Sequence, residues 1–270
     1  MDALILGDGR LGRAIAAAFL ERGDRARIRG RPTSGCHDPA DLAGADVAVE
    51  ASRGDAVADN VAAALEAGVR GVVIATSAWE RDRPRIARLL ETLGGAAVAA
   101  PNLGLGMALF GRLVDEAVRL YGPLPAFDPY IVEWHRRGKA DRPSGTALAL
   151  AARITAVHPR IRRLADPGAS GPPPDGCLQV VGVRAGANPG VHLVGFDAPG
   201  EVIELRCTAR DRSAYAAGAL AAADWLLAVP RAPGIHPFDA VVDDLLAGTN
   251  AANVPPAGPM RAEEPPVIAG

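Results

Sequence analysis

Up to about residue 104 the chain alternates between two hydrophobic rhythms. Short apolar runs at 3–6, 45–52, 71–76 and 96–100 read as strands, and 25–28 as a further, second strand. Between them, 13–22, 56–67 and 84–93 repeat apolar residues at helical spacing, the first ending at Gly23. Strands alternating with helices predict right-handed crossovers and a parallel, doubly wound sheet with its ligand outside the carboxyl ends of the strands. Beyond that point the pattern changes. A helix is expected over 105–121, a strand over 130–133 and a helix over 147–157, followed by a Pro- and Gly-rich loop at 165–177. Three alternating strands are expected at 178–183, 191–196 and 201–208, then a helix at 216–227. The tail 249–270 has five prolines and few large apolar residues, and is expected to be disordered.

Composition narrows the classes without choosing a function. The 270 residues carry a formal charge of −2 and a pI near 6.2, which gives no global basic field for nucleic acid. Cys36, Cys177 and Cys207 are odd in number, widely spaced and lack a CxxC pair, which suits a reduced, cytoplasmic protein. They and the five histidines suggest no metal ligand set. The N-terminus enters a strand pattern directly, with no signal-like or membrane-spanning segment expected.

Chemistry first appears at Gly7-Asp8-Gly9-Arg10-Leu11-Gly12, a GxGxxG placed between the first strand and the first helix. In that context it is the dinucleotide-binding fingerprint. Gly7 permits the tight turn, Gly9 lets backbone approach the pyrophosphate, and Gly12 lets helix and strand pack closely. An acidic residue at the end of the second strand would select NADH by binding the ribose hydroxyls. Here Arg29 and Arg31 stand there instead, which favours NADPH with its 2′-phosphate, NADH remaining possible.

The densest chemistry lies in Glu133-Trp134-His135-Arg136-Arg137-Gly138-Lys139-Ala140-Asp141-Arg142-Pro143-Ser144-Gly145-Thr146-Ala147. Four cationic or protonatable side chains crowd five positions, just ahead of a helix that Ser144 or Thr146 can cap. The free N–H groups of that helix make an anion site, and His135 and Lys139 are able to move protons. A plain basic loop before a capped helix is the competing reading.

The same segment resembles the signature Glu-x-His-His-x-x-Lys-x-Asp-x-Pro-Ser-Gly-Thr-Ala of the 4-hydroxy-tetrahydrodipicolinate reductase family, a lysine-pathway family. Arg136 stands in place of the second histidine. Further matches are Gly9, Arg10 and Gly12, the loop Ala75-Thr76-Ser77-Ala78 where the family has Gly-Thr-Thr-Gly, and Ala100-Pro101-Asn102-Leu103 where it has Ala-x-Asn-Phe. Val183-Arg184-Ala185-Gly186 followed by Gly190 and His192 is similar to a further family run, so the similarity runs in order from residue 1 to about 245. The resemblance implies an α/β fold: a Rossmann-type domain, 1–103 with returning segment 213–248, and a mixed α+β substrate and oligomerisation domain, 104–212. It implies NAD(P)H-dependent reduction of a small cyclic dicarboxylate by a homo-oligomer, a tetramer in relatives. It assigns His135 as general acid/base, Lys139 as proton donor or carboxylate clamp, and Arg136, Ser144, Gly145 and Thr146 to the substrate. Ala75, Thr76, Ser77, Ala100, Pro101, Asn102 and Leu103 fall to the nicotinamide side of the cofactor. Two alternatives stay open: a paralogue reducing another cyclic imine or imino acid, and a non-catalytic nucleotide-binding regulator.

Overall fold

The computed structural model describes residues 1–32, 36–166, 168 and 170–248. The expected tail, 249–270, lies outside them. In the first part, β1 (Asp2–Leu6), α1 (Arg10–Glu21), β2 (Arg25–Arg29), α2 (Pro39–Leu42), β3 (Val47–Glu50), α3 (Val57–Glu66), β4 (Gly71–Ile74), α4 (Arg83–Leu93) and β5 (Ala96–Ala99) follow one another. These strands are entirely parallel, in the order β5-β4-β3-β1-β2.

The chain then leaves through α5 (Leu105–Tyr121), β6 (Asp128–His135), α6 (Gly145–Val157), β7 (Arg163–Leu164), β8 (Cys177–Arg184), β9 (Val191–Ala198) and β10 (Glu201–Thr208). A second, mixed sheet results, ordered β10-β9-β6-β8-β7, with β9 antiparallel to both neighbours and β8 parallel to β6. The chain returns through α7 (Ser213–Ala228), β11 (Gly234–Pro237) and α8 (Phe238–Leu246). β11 pairs in parallel with β5 and completes a six-stranded first sheet.

Each sheet face is sealed as its pattern requires. Ile15 and Phe19 of α1, Ala219 and Trp225 of α7 and Val241 of α8 fill one side of the first sheet. Val57 and Val61 of α3 with Ile86 and Leu90 of α4 fill the other. Complete burial of a side chain such as Phe19 or Ile86 contributes about 1.5–3 kcal/mol. One face of the second sheet is covered by α5 and α6 through Phe110, Val114, Leu150 and Ile154 against Ile131, Val194 and Phe196. Its other face leaves Trp134, Val181, Val183 and Val202 exposed.

Four expectations are corrected. Helix α1 begins at Arg10 rather than 13, because the glycine turn feeds straight into it. Strand β6 runs to His135, beyond the expected 133, since Glu133 and His135 continue its buried alternation as polar residues. Helix α7 starts at Ser213, three residues earlier than expected. Strand β11 and helix α8 were not anticipated: a four-residue strand containing a proline looks like a loop in sequence.

Candidate active site

The glycine turn has the geometry its sequence demands. Gly7 sits at φ +127°, and a Cβ there would fall 2.4 Å from the carbonyl oxygen of Ala51 at the end of β3. A Cβ on Gly12 would lie 2.0 Å from the Gly7 carbonyl oxygen, so α1 can start this close to β1 only without a side chain. Gly9 has nothing within 4 Å of its Cβ position and faces open space, as backbone offered to a pyrophosphate must. Asp8, Gly9 and Arg10 are exposed and Leu11 is half-buried. The turn therefore fits a dinucleotide.

At the tip of β2, Arg29 makes long contacts among the described residues, 3.5 Å to the carbonyls of Ile28 and Asp41. Arg31 is exposed on the same rim. Asp55, beyond β3, is held below the usual carboxylate range by its hydrogen bond from Arg53, with the charge of Arg31 adding to the effect. Asp8 also reaches this rim, its Oδ2 lying 3.3 Å from the Cβ position of Gly30.

The loop after β4 keeps a glycine-like shape without the glycine. Ala78 adopts φ +63°, and its carbonyl crowds Gly54, whose Cβ position is 2.2 Å from it. Thr76 is buried and donates from Oγ1 to the Glu50 carbonyl at 3.4 Å; Ala75 is half-buried and Ser77 exposed. Beneath them lies Glu50, fully buried, accepting from Ser52 N at 3.2 Å and Asn60 Nδ2 at 3.0 Å. Burial pushes its carboxyl above the ordinary value against those hydrogen bonds. Nothing in the sequence reading singled Glu50 out, because a carboxylate ending an apolar strand carries no local signal.

In the second sheet, residues two apart on β6 share a face, so Glu133 and His135 both point to the side covered by α6. Across the ladder, Glu133 pairs with His192 of β9. His192 therefore brings its ring edge-on to His135, with centroids 5.2 Å apart. Burial is the larger cause, and His135 the next, that pushes His192 down to about 4, so it is neutral at working pH. Burial likewise lowers His135, opposed by the nearby Glu133 charge. Glu133 moves the other way: burial would raise it, but hydrogen bonds from Ser144 and Arg184 hold it below the usual range.

The loop from Arg136 to Pro143 folds back over this end of the strand. Lys139 Nζ pairs with Asp141 at 2.7 Å. Arg184 of β8 bonds Glu133 Oε1 at 2.7 Å and also the carbonyl of Asp141. Arg136 is exposed, its guanidinium lying over Gly138. Ser144, buried, is the N-cap of α6: its Oγ accepts from Ala147 N at 3.2 Å and its own N–H donates to Glu133 Oε1 at 2.9 Å. Thr146 is not the cap. Its hydroxyl faces the first sheet, where Asn102 Nδ2 donates to it at 3.3 Å, while Asn102 Oδ1 accepts from Gly104 N at 2.8 Å. Gly145 is exposed and Thr146 half-buried. Ala100 and Pro101 border the same junction, and Leu103 is buried beneath it.

The chain thus gathers His135, Lys139, Arg136 and the α6 N-terminus at one strand end, and Asn102 joins that end to the loops of the first sheet. Glu133, Arg184 and His192 belong to the same cluster. The sequence reading gave Glu133 no role and noted Arg184 and His192 only as part of a run similar to the family's. Donor atoms of Glu133, His135 and His192 all lie within 4.8 Å of one another, a juxtaposition that scattered histidines did not reveal. Arg184 already neutralises this carboxylate and Lys139 adds positive charge, which disfavours a bare cation there. No described helix is long and apolar enough to cross a membrane.

A family model described as "Dihydrodipicolinate reductase, C-terminus" matches residues 106–242. The chain is 37% identical over 200 residues to the 4-hydroxy-tetrahydrodipicolinate reductase of Archaeoglobus fulgidus, covering 72% of this chain and 75% of that protein. It is 34% identical over 253 residues to the Myxococcus xanthus enzyme of the same name, covering 84% and 92%. Its fold is similar to that of "Dipicolinate bound Dihydrodipicolinate reductase from Paenisporosarcina sp. TG-14", with TM-score 0.66 and 18% identity over 88% of this chain and 97% of that one.

Proposed function

The chain belongs to the 4-hydroxy-tetrahydrodipicolinate reductase family, and on that premise we propose that it reduces 4-hydroxy-tetrahydrodipicolinate to tetrahydrodipicolinate, with loss of water, in lysine and diaminopimelate biosynthesis. The observation that carries this reading is the convergence of His135, Lys139 and the exposed N-terminus of α6 at one strand end, joined through Asn102 to the cofactor side. When bound, the nicotinamide supplies hydride. The protein contributes position, charge and protons. The N–H groups of Gly145 and Thr146, at the positive end of α6, hold one carboxylate, and Arg136 reaches from the rim for a carboxylate in bidentate fashion. His135 and Lys139 stand beside the ring to deliver the proton that accompanies hydride.

Lys139 is the only lysine in a chain otherwise supplied with arginine. Arginine cannot release a proton at working pH whereas lysine can, which supports proton donation over simple charge. The homologous enzyme bound to dipicolinate supports a planar dicarboxylate as ligand. For the cofactor, the absence of a carboxylate on β2's tip and the presence of Arg29 and Arg31 support NADPH as the preferred donor; Asp8 on the same rim leaves NADH usable. The apolar face of the second sheet, with Trp134, Val181, Val183 and Val202, supports association through that sheet into a tetramer.

Arg136 in place of the family's histidine favours one second reading, a related reductase with a differently substituted imine. Calorimetric titration with dipicolinate in the presence of NADPH separates the two. The dicarboxylate reading expects saturable binding that Arg136→Ala weakens by about tenfold or more, the worth of one charge-assisted contact. Equal affinity for pyridine-2-carboxylate would favour the second reading instead.

A further inference from the structure

Glu133 is fully buried, and its two oxygens meet different partners. Oε1 is saturated by Ser144 N and Arg184 Nη2. Oε2 has no hydrogen-bond partner among the described residues, nor has His135 Nδ1, 3.4 Å away. Two buried acceptor atoms this close repel each other unless a proton lies between them. With a guanidinium and a backbone N–H on its other oxygen, the carboxylate stays ionised, so that proton belongs on Nδ1.

We propose that Glu133 is the positioning residue that keeps resting His135 in its Nδ1–H tautomer, so that Nε2 faces the substrate and takes up, as imidazolium, the proton it then passes on. Arg184 locks this pair to the loop that carries Lys139. The proposal rests on the reading of His135 as the proton-transfer group. Four features of the site agree with it. His135 Nε2 lies on the Gly190 side of the ring, where a side chain's Cβ would stand 3.2 Å away and glycine leaves room. Gly182, beneath Glu133, has its Cβ position 3.0 Å from Oε1, so any other residue there would press on the carboxylate. The same Glu133 oxygen binds the N-cap N–H of α6, so histidine orientation and the carboxylate-binding helix end are fixed by one group. The remaining groups facing His135 are Lys139 and Asp141 on its loop, Arg184 on β8 and the neutral His192 on β9, none of which offers Nδ1 a hydrogen bond.

The test is a long-range ¹H–¹⁵N imidazole spectrum of the ¹⁵N-labelled full chain at neutral pH, with His135 assigned by its absence in His135→Ala. The wild type should show protonated Nδ1 and bare Nε2. Glu133→Gln keeps the acceptor for Ser144 and Arg184 but turns an amide N–H toward Nδ1. It should switch His135 to the Nε2–H tautomer, lower its titration midpoint and cut kcat about 10²-fold, with KM for the cofactor unchanged. An Nε2–H tautomer in the wild type overturns the proposal, and so does an unchanged tautomer in Glu133→Gln. If that variant does not fold, the wild-type spectrum alone decides. If the tautomer is as stated but the cyclic dicarboxylate is not turned over, the substrate reading fails and the positioning role of Glu133 stands.

Discussion

Lys139 and His135, which we propose move protons, share one short segment ahead of the capped helix α6, a spacing visible along the chain. Arg184 and His192 come from other strands and meet that segment only through sheet register, which the spacing does not show. Lys139→Arg discriminates between the two roles open to this residue. It keeps the charge and can keep the pairing with Asp141, but it cannot give up a proton. If Lys139 donates a proton, kcat falls about 10²-fold with a smaller change in KM; a pure carboxylate clamp would survive with near-normal kcat. The two buried glutamates have opposite pH signatures. Glu133 is held below its ordinary value, so its stabilisation is present above its unfolded pKa and is lost as pH falls through the folded one. Glu50 is raised by burial, so its favourable contribution is present below its unfolded pKa and is lost as pH rises through the folded value. Glu50→Gln, neutral at every pH, should therefore gain Tm relative to the wild type as pH rises from 5 to 8. A gap that narrows over that range would show that Glu50 is not destabilised by ionisation.

At the scale of elements, strands β1, β3, β4 and β5 of the first sheet were readable because parallel strands buried on both faces are continuous apolar runs. Strand β6 was harder. Its buried face carries Glu133 and His135, and polar residues at buried positions look like the end of a strand. Strand β11 with α8 escaped notice because Gly234–Pro237 offers no periodicity of its own and gains its place by pairing with β5. The loop after β4 teaches the converse: with Ala75 and Ala78 where the family has glycine, the backbone still turns into the left-handed region at Ala78. For an alanine that conformation costs about 1–2 kcal/mol, which the surrounding fold must offset. The glycine turn allows no such replacement. Gly12→Ala puts a methyl 2.0 Å from the Gly7 carbonyl, so α1 must shift. We expect a stability loss of about 1–3 kcal/mol in urea unfolding, with cofactor affinity reduced about tenfold or more. Unchanged cofactor affinity would remove the turn from the binding site.

The whole molecule is two sheets joined where residues 100–104 leave the first and α7 returns to it. That junction sets the loop after β5 against the end of α6, with Asn102 and Thr146 as a direct link. Neither half holds all the proposed groups: the glycine turn and Arg29 lie on one, His135, Lys139 and the helix end proposed to bind a carboxylate on the other. Sequence alone reveals this division through the change of hydrophobic rhythm after residue 104, but not the contact, which depends on how the sheets meet. The central claim is that both halves act on one cyclic dicarboxylate. It is tested by generating that substrate from aspartate semialdehyde and pyruvate with the upstream synthase, and following nicotinamide absorbance with NADPH and NADH in parallel. The account predicts turnover with both, a higher kcat/KM with NADPH, and a drop of about 10²-fold or more in kcat for His135→Ala. Absence of turnover with either cofactor, or a His135→Ala variant as fast as the wild type, would contradict it.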